Sequence, residues 1–209
     1  MVPSSRLIDR SLALFAEALA TRTATPGGGS MAAFLTASGA ALVSMACRFT
    51  SGEKFAVVEP AMVQSVVALE LLRPRALELV DLDAASYDAV TAAYGLAKSN
   101  DAEKALRAAA IQLALKGALD VPFETMQIAL AGLEIAAPIA ASINPNLKSD
   151  CGVGARCLAT ALESAFLNVR INAGSIKDGE FVAERLRQCD AMRTRARELS
   201  EQIARVTEA

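Results

Sequence analysis

Thr25-Pro26-Gly27-Gly28-Gly29-Ser30 opens directly into residues 31–50, a run so apolar that water admits it only inside a core. Consecutive glycines let the backbone turn tightly and approach another group closely. The helix that follows offers unpaired N–H groups and a positive dipole end, a ready site for an anion. Ser30 is expected to cap it, and Ala32, Ala33, Ala37, Gly39, Ala40 and Ala41 give it faces small enough for close packing by neighbouring helices. Taken alone, the glycines equally describe a simple interhelical turn. Two phosphate-loop alternatives fail. Met31 follows Ser30 where a Walker loop needs a Lys-Ser/Thr pair, and the preceding residues 5–19 have a helical pattern where a dinucleotide fingerprint needs a strand.

Composition narrows the fold further. The 209 residues fit one domain, 1–209, large enough to bury a core without disulfides or metals. Hydrophobic residues make up 53% and aromatics only 4%, a balance carried by Ala and Leu, which favours a helical bundle. The net charge of -2 gives no basic footprint, so no nucleic-acid or membrane partner is expected and a small molecule is favoured. The first residues lack a secretory pattern, which points to the cytoplasm. Residues 31–49 could span a bilayer by length, but their Ala, Ser, Thr and Gly content and Arg48 fit a core helix better. The four cysteines form no CxxC and the chain has no histidine, so the usual zinc ligand sets cannot form and no metal is expected. Proton transfer must then fall to carboxylates, lysines, tyrosines, cysteines or water.

Along the chain, Ser4 or Ser5 is placed to cap a first helix carrying Leu7, Ile8, Leu12, Phe15 and Leu19 on one stripe. The central helix is expected to stop at Ser51-Gly52. A third starts at Pro60 and runs toward Leu96 with a kink at Pro74; Asn100 and Glu103 have the spacing of a capping box for a fourth. Pro122 and Pro138 are expected to interrupt that apolar stretch, Ser149 to cap a fifth helix, and Gly174 to end it. A last helix follows Asp178. No segment alternates as a strand would, so the prediction is an all-α, elongated bundle of five or six long, partly Pro-kinked helices.

Three groups of residues could carry chemistry. Asp83, Tyr87, Val90, Tyr94 and Lys98 share one helical face, which also describes half-buried tyrosines with charges at the rim; Asp81 and Asp88 point elsewhere and are expected to be solvated. Asn144, Asn146, Lys148, Ser149 and Asp150 gather amides, an amine, a hydroxyl and a carboxylate at a helix start. Asn168 and Asn172 lie one turn apart in an apolar helix, where amides need partners, either a ligand or neighbouring helix ends.

Together, Pro26-Gly-Gly-Gly-Ser30, Arg48-Phe-Thr50, Asp83-Ala-Ala-Ser-Tyr87, Ala93-Tyr-Gly-Leu-Ala-Lys98, Val121-Pro122, Asn144-Pro-Asn-Leu-Lys-Ser-Asp150 and Leu167-Asn-Val-Arg-Ile-Asn172 resemble the cyclodeaminase/cyclohydrolase family of folate enzymes, over nearly the whole chain and in order. Residues 93–104 look more like the stand-alone methenyltetrahydrofolate cyclohydrolase branch than like formiminotetrahydrofolate cyclodeaminase. A catalytically silent helical dimerisation module is the alternative from another class. The chain departs from the family pattern at Ala97, where Pro is usual, and at Ile143, where Gly is usual. The resemblance implies a homodimer, a tetrahydrofolate derivative as substrate with no separate cofactor, and Asp83 as the acid/base at the carbon bridging the two folate nitrogens. It implies substrate contacts at Gly27, Gly28, Gly29, Ser30, Tyr87, Asn144, Asn146, Lys148, Ser149, Asp150, Asn168 and Asn172. The glutamate tail would suit the start of the central helix or Lys148.

Overall fold

A computed structural model describes residues 6–208, in which six α-helices and no strand occur. They are α1 (Leu12–Ala20), α2 (Gly28–Arg48), α3 (Glu59–Tyr94), α4 (Asp101–Ile139), α5 (Lys148–Ala173) and α6 (Gly179–Thr207). The all-α expectation holds, with six helices of which α1 is short.

The central position of α2 follows from its small residues. It packs against α3, α4 and α5, burying Ala32, Ala33, Ala37, Gly39, Ala40 and Val43 among others. A Cβ at Gly39 would sit 2.8 Å from the Gly154 carbonyl of α5, and one at Gly154 would sit 2.9 Å from the Gly39 carbonyl. The two backbones therefore touch where neither residue carries a side chain. Leu158 of α5, fully buried, fills the space left by Gly39 and by Gly132 of α4, where an added Cβ would come within 2.9 Å of it. Burying one such leucine contributes roughly 1.5–3 kcal/mol, and an alanine at either glycine would push against it.

Gly28–Arg48 and Asp101–Ser142 are apolar and long enough to cross a membrane, but 61% and 56% of the respective windows are buried within the bundle. Other helices cover the larger part of each window, as they do for a core helix. Burial pushes the Cys47 thiol up to about 12 and Cys151 up to about 11, the inert thiols expected of a core.

Several local expectations are corrected. The first helix starts at Leu12, capped by Ser11 accepting from the Leu14 N–H, and residues 7–9 form a separate 3-10 turn; Ser4 and Ser5 lie outside the described residues. Gly27, not Ser30, caps α2. Leu147, not Ser149, precedes α5, and a short 3-10 turn over 145–147 leads into it. α4 runs without a break through Pro122 and Pro138. A proline removes the N–H that would serve the carbonyl four residues earlier, which for Pro122 is Ala118. Asn172 of α5 donates its amide to that carbonyl at 2.7 Å and so replaces the missing bond. Of the capping expectations, Asn100 holds: its side chain accepts from the Glu103 N–H, while Glu103 reaches back to the Ser99 N–H. Ile143, where the family usually has Gly, is buried in the main core.

α6 lies on α4 and α5. Its Arg193 pairs with Glu163 at 2.8 Å and covers the Phe166 ring, while Arg185 covers Phe123 and pairs with Asp120. The guanidinium groups thus lie over aromatic rings of α4 and α5 while pairing with carboxylates beside them.

Candidate active site

Asp83 leaves α3 toward the first turn of α2. The Ser30 hydroxyl donates to Asp83 Oδ2 at 2.8 Å, and Ser30 itself is fully buried. A Cβ at Gly29 would fall 2.0 Å from Asp83 Oδ1, so only glycine leaves room for the carboxylate. The apolar surroundings raise the Asp83 pKa above the ordinary carboxylate value; bonds from the Ser30 hydroxyl and backbone N–H work against that rise. Among the described residues no charged neighbour contributes to the shift. The result is a carboxylate pinned at a helix N-terminus, with a proton affinity raised toward the range useful for proton transfer.

Asn168 of α5 completes this end. Its amide donates to the Ser164 carbonyl at 3.0 Å, and it faces Gly28, whose added Cβ would lie 3.5 Å from its Nδ2. Tyr87, one turn beyond Asp83, is half-exposed and presents an aromatic surface beside the site. Leu167 and Ile171 extend an exposed apolar surface along α5. Thus Gly27, Gly28, Gly29, Ser30, Asp83, Tyr87 and Asn168 belong to one end of α2. Ser30 acts there on Asp83, since its buried hydroxyl is already engaged.

The remaining predicted residues lie elsewhere. The Asn144 side chain donates to the Phe49 carbonyl and its backbone N–H donates to Thr50 Oγ1, which places residues 144–150 at the C-terminal end of α2. With 21 residues in α2, the two ends are about 30 Å apart. Asn146 gives its N–H to Asn144, and Lys148, Ser149 and Asp150 form the first turn of α5. Asn172 is engaged with Ala118, as described above. Within one chain, then, Asn144, Asn146, Lys148, Ser149 and Asp150 do not meet Asp83.

Sequence patterning also missed a cleft. It has a volume of about 650 Å³ and lies between the 6–10 segment, the end of α1 with the 21–26 loop, and α3, with Arg6, Arg10, Thr23, Pro26, Asp81 and Ala84 in its walls. Asp81, expected to be solvated, accepts from the Leu7 N–H at 2.6 Å and pairs with Arg6 at 3.4 Å, tying the start of the described chain to α3. Periodicity carries no signal for a contact so distant in sequence. Asp88 is exposed, as expected, but also lines the cleft.

Residues 11–191 match the formiminotransferase-cyclodeaminase family model. The chain is 40% identical to a methenyltetrahydrofolate cyclohydrolase of Methylorubrum extorquens, over 93% of this chain and 94% of that protein. It is 32% identical to the formimidoyltransferase-cyclodeaminase of Sus scrofa over 87% of this chain, which spans only 34% of that longer protein. Its fold matches the crystal structure of a formiminotetrahydrofolate cyclodeaminase from Thermotoga maritima with a TM-score of 0.85 and 28% identity, covering 95% of this chain and 96% of that one. With a family match over most of its length and a relative of nearly its own size at 40% identity, the chain belongs to the formiminotransferase-cyclodeaminase family.

Proposed function

We propose that this protein hydrolyses 5,10-methenyltetrahydrofolate to 10-formyltetrahydrofolate. The observation that carries the reading is the Asp83 carboxylate, partly buried and held by Ser30 against a glycine-only surface. The full-length similarity to a cyclohydrolase supports the choice of substrate.

In the reaction, the ionised Asp83 faces the cationic methenyl carbon and stabilises its charge. Water adds to that carbon and gives a proton to Asp83, forming a neutral tetrahedral carbinolamine. Asp83 returns the proton to N5 as the carbon–N5 bond breaks. The hydroxyl proton leaves to solvent, the carbonyl forms, and the formyl group stays on N10. One water is consumed and one proton released. Side chains and solvent account for every proton, so the proposal includes no metal or cofactor.

The second reading is formiminotetrahydrofolate cyclodeaminase activity, favoured by the match to a solved structure of that name. It passes through a tetrahedral carbon at the same place but expels ammonia. Incubating the protein separately with methenyl- and formimino-tetrahydrofolate while following the methenyl absorbance separates them. Loss of absorbance from the first, with none gained from the second, supports hydrolysis. Inertness toward both favours a non-catalytic helical module. Asp83→Asn should lower turnover above the spontaneous rate by roughly a hundredfold or more while leaving folate binding nearly intact.

The proposal extends to a cytoplasmic homodimer acting on a small molecule, without a nucleic-acid or membrane partner. Val63, Val67 and Leu71, spaced one turn apart and exposed on α3, supply an apolar row suited to a second copy. Sedimentation as a monomer at micromolar concentration would reject the dimer.

A further inference from the structure

The cleft beside α2 has no role in the chemistry described so far, yet it begins where the site ends. Pro26 is in its wall, and the next residues, 27–29, pack against Asp83. It runs along the flank of α3 that carries Asp81 and Ala84, while Asp83 leaves the same helix on the side facing α2.

Its chemistry is selective. Arg10 lies in the wall and forms no ion pair among the described residues, while Arg6 uses only its Nε on Asp81. Thr21, Thr23 and Thr25 line the same space; the Thr21 hydroxyl donates to the Ala18 carbonyl and the Thr23 hydroxyl to the Thr25 carbonyl, so what they offer a ligand is acceptor oxygen. Among the described residues no aromatic side chain lines it, and they offer no flat apolar wall for a pterin or an aryl ring. Such surfaces lie instead beside Tyr87, Leu167 and Ile171. Asp81 is already engaged by Arg6 and Leu7, leaving Asp88 as the cleft's exposed carboxylate.

We infer that this cleft is the subsite for the carboxylates of the folate glutamyl tail, with Arg10 as the anchoring cation. The inference rests on the folate reading of the site and fixes the ligand's direction. The reacting carbon and the tail carboxylates are separated by the aminobenzoyl group, roughly 10 Å by bond lengths. Ala84, in the cleft wall, is one residue and so about 100° round α3 from Asp83, an arc of about 10 Å on the side-chain surface of a helix, so a tail starting beside Asp83 reaches the near edge of the cleft. The two anion sites suggested by sequence fit less well in one chain: the start of α2 is occupied by Asp83, and Lys148 lies at the far end of α2. A guanidinium presents a fork of donors matched to a carboxylate, while the threonines suit the tail's amide.

The test compares 5,10-methenyltetrahydrofolate with methenyltetrahydropteroate, the same ring system without glutamate, using wild type, Arg10→Gln and Lys148→Gln. Wild type should show a KM about tenfold lower for the glutamate-bearing substrate, an advantage that shrinks with added salt. Arg10→Gln should lose most of that advantage with kcat unchanged, and its unaltered kinetics on the pteroate substrate would establish that it is folded. Lys148→Gln should keep the advantage. An advantage that survives Arg10→Gln, or that disappears in Lys148→Gln instead, overturns the assignment while leaving the hydrolase intact. Failure of wild type both to turn over the two compounds and to bind tetrahydrofolate in an equilibrium titration overturns the folate reading and this inference with it.

Discussion

Gly29→Ala is the sharpest probe of how the site is built. Alanine is favoured over glycine by about 1 kcal/mol in a helix interior, and in the first turn of α2, where Gly29 stands, the same preference acts more weakly, so local propensity alone predicts no loss of stability. Packing predicts the opposite for function. The new Cβ would lie 2.0 Å from Asp83 Oδ1, 2.6 Å from Cγ and 2.9 Å from Oδ2. Carbon and oxygen come into contact near 3.3 Å, so the carboxylate has to retreat by about 1.3 Å. That movement breaks the 2.8 Å bond from Ser30 and carries the proton acceptor away from the reacting carbon. Misplacement on this scale costs on the order of a hundredfold in rate. The fold should survive, because the displaced group is the end of one side chain at the edge of the bundle. The assay is loss of methenyl absorbance, with thermal melting measured in parallel. Gly117→Ala is the control: nothing lies within 4 Å of its added Cβ, so it should gain stability and keep full activity. Gly29→Ala with activity within threefold of wild type would refute the claim that a glycine here exists to admit Asp83.

Other outcomes follow from the same geometry. The rate should rise with pH as Asp83 ionises, with its acid limb above the ordinary carboxylate range; Ser30→Ala removes a bond that lowers this pKa, so the limb should move to higher pH, as a pH–rate profile would reveal. A folded-state pKa above the unfolded one means that the folded protein holds this proton more tightly. Its stabilising effect is then fully present below the unfolded pKa and lost as pH rises through the folded one, so Asp83→Asn should melt at or above the wild-type temperature near neutral pH. Asn172→Ala should destabilise by about 1–3 kcal/mol by leaving the Ala118 carbonyl without its donor. In a Pro122→Ala background, where a backbone N–H can serve that carbonyl, denaturant unfolding should reveal a smaller loss; an equal loss would refute the proposed exchange.

What could be read in the sequence divides along a physical line. The helices and their core faces were legible because each depends on residues within a turn or two: the small residues of α2, the Asn100 cap and the run after Asp178 are local signals. The prolines misled for the same reason. Pro122 lacks an N–H, and local rules end a helix there; the helix continues because Asn172, from a different element, supplies the donor. Ser30 likewise has the chemistry of a cap, but Asp83 of α3 takes its hydroxyl and Gly27 occupies the cap position. Residue type marks both Asp83 and Asn144, yet nothing local tells that they lie at opposite ends of α2, because that distance is set by how three helices cross. The same limit hid the cleft, whose cation comes from the 6–10 segment, held against α3 by the Asp81 contacts, and whose threonines come from the 21–26 loop. A side chain's partner decides its role in each of these cases. When that partner comes from another element, residue type and spacing identify the candidate but not the task it performs.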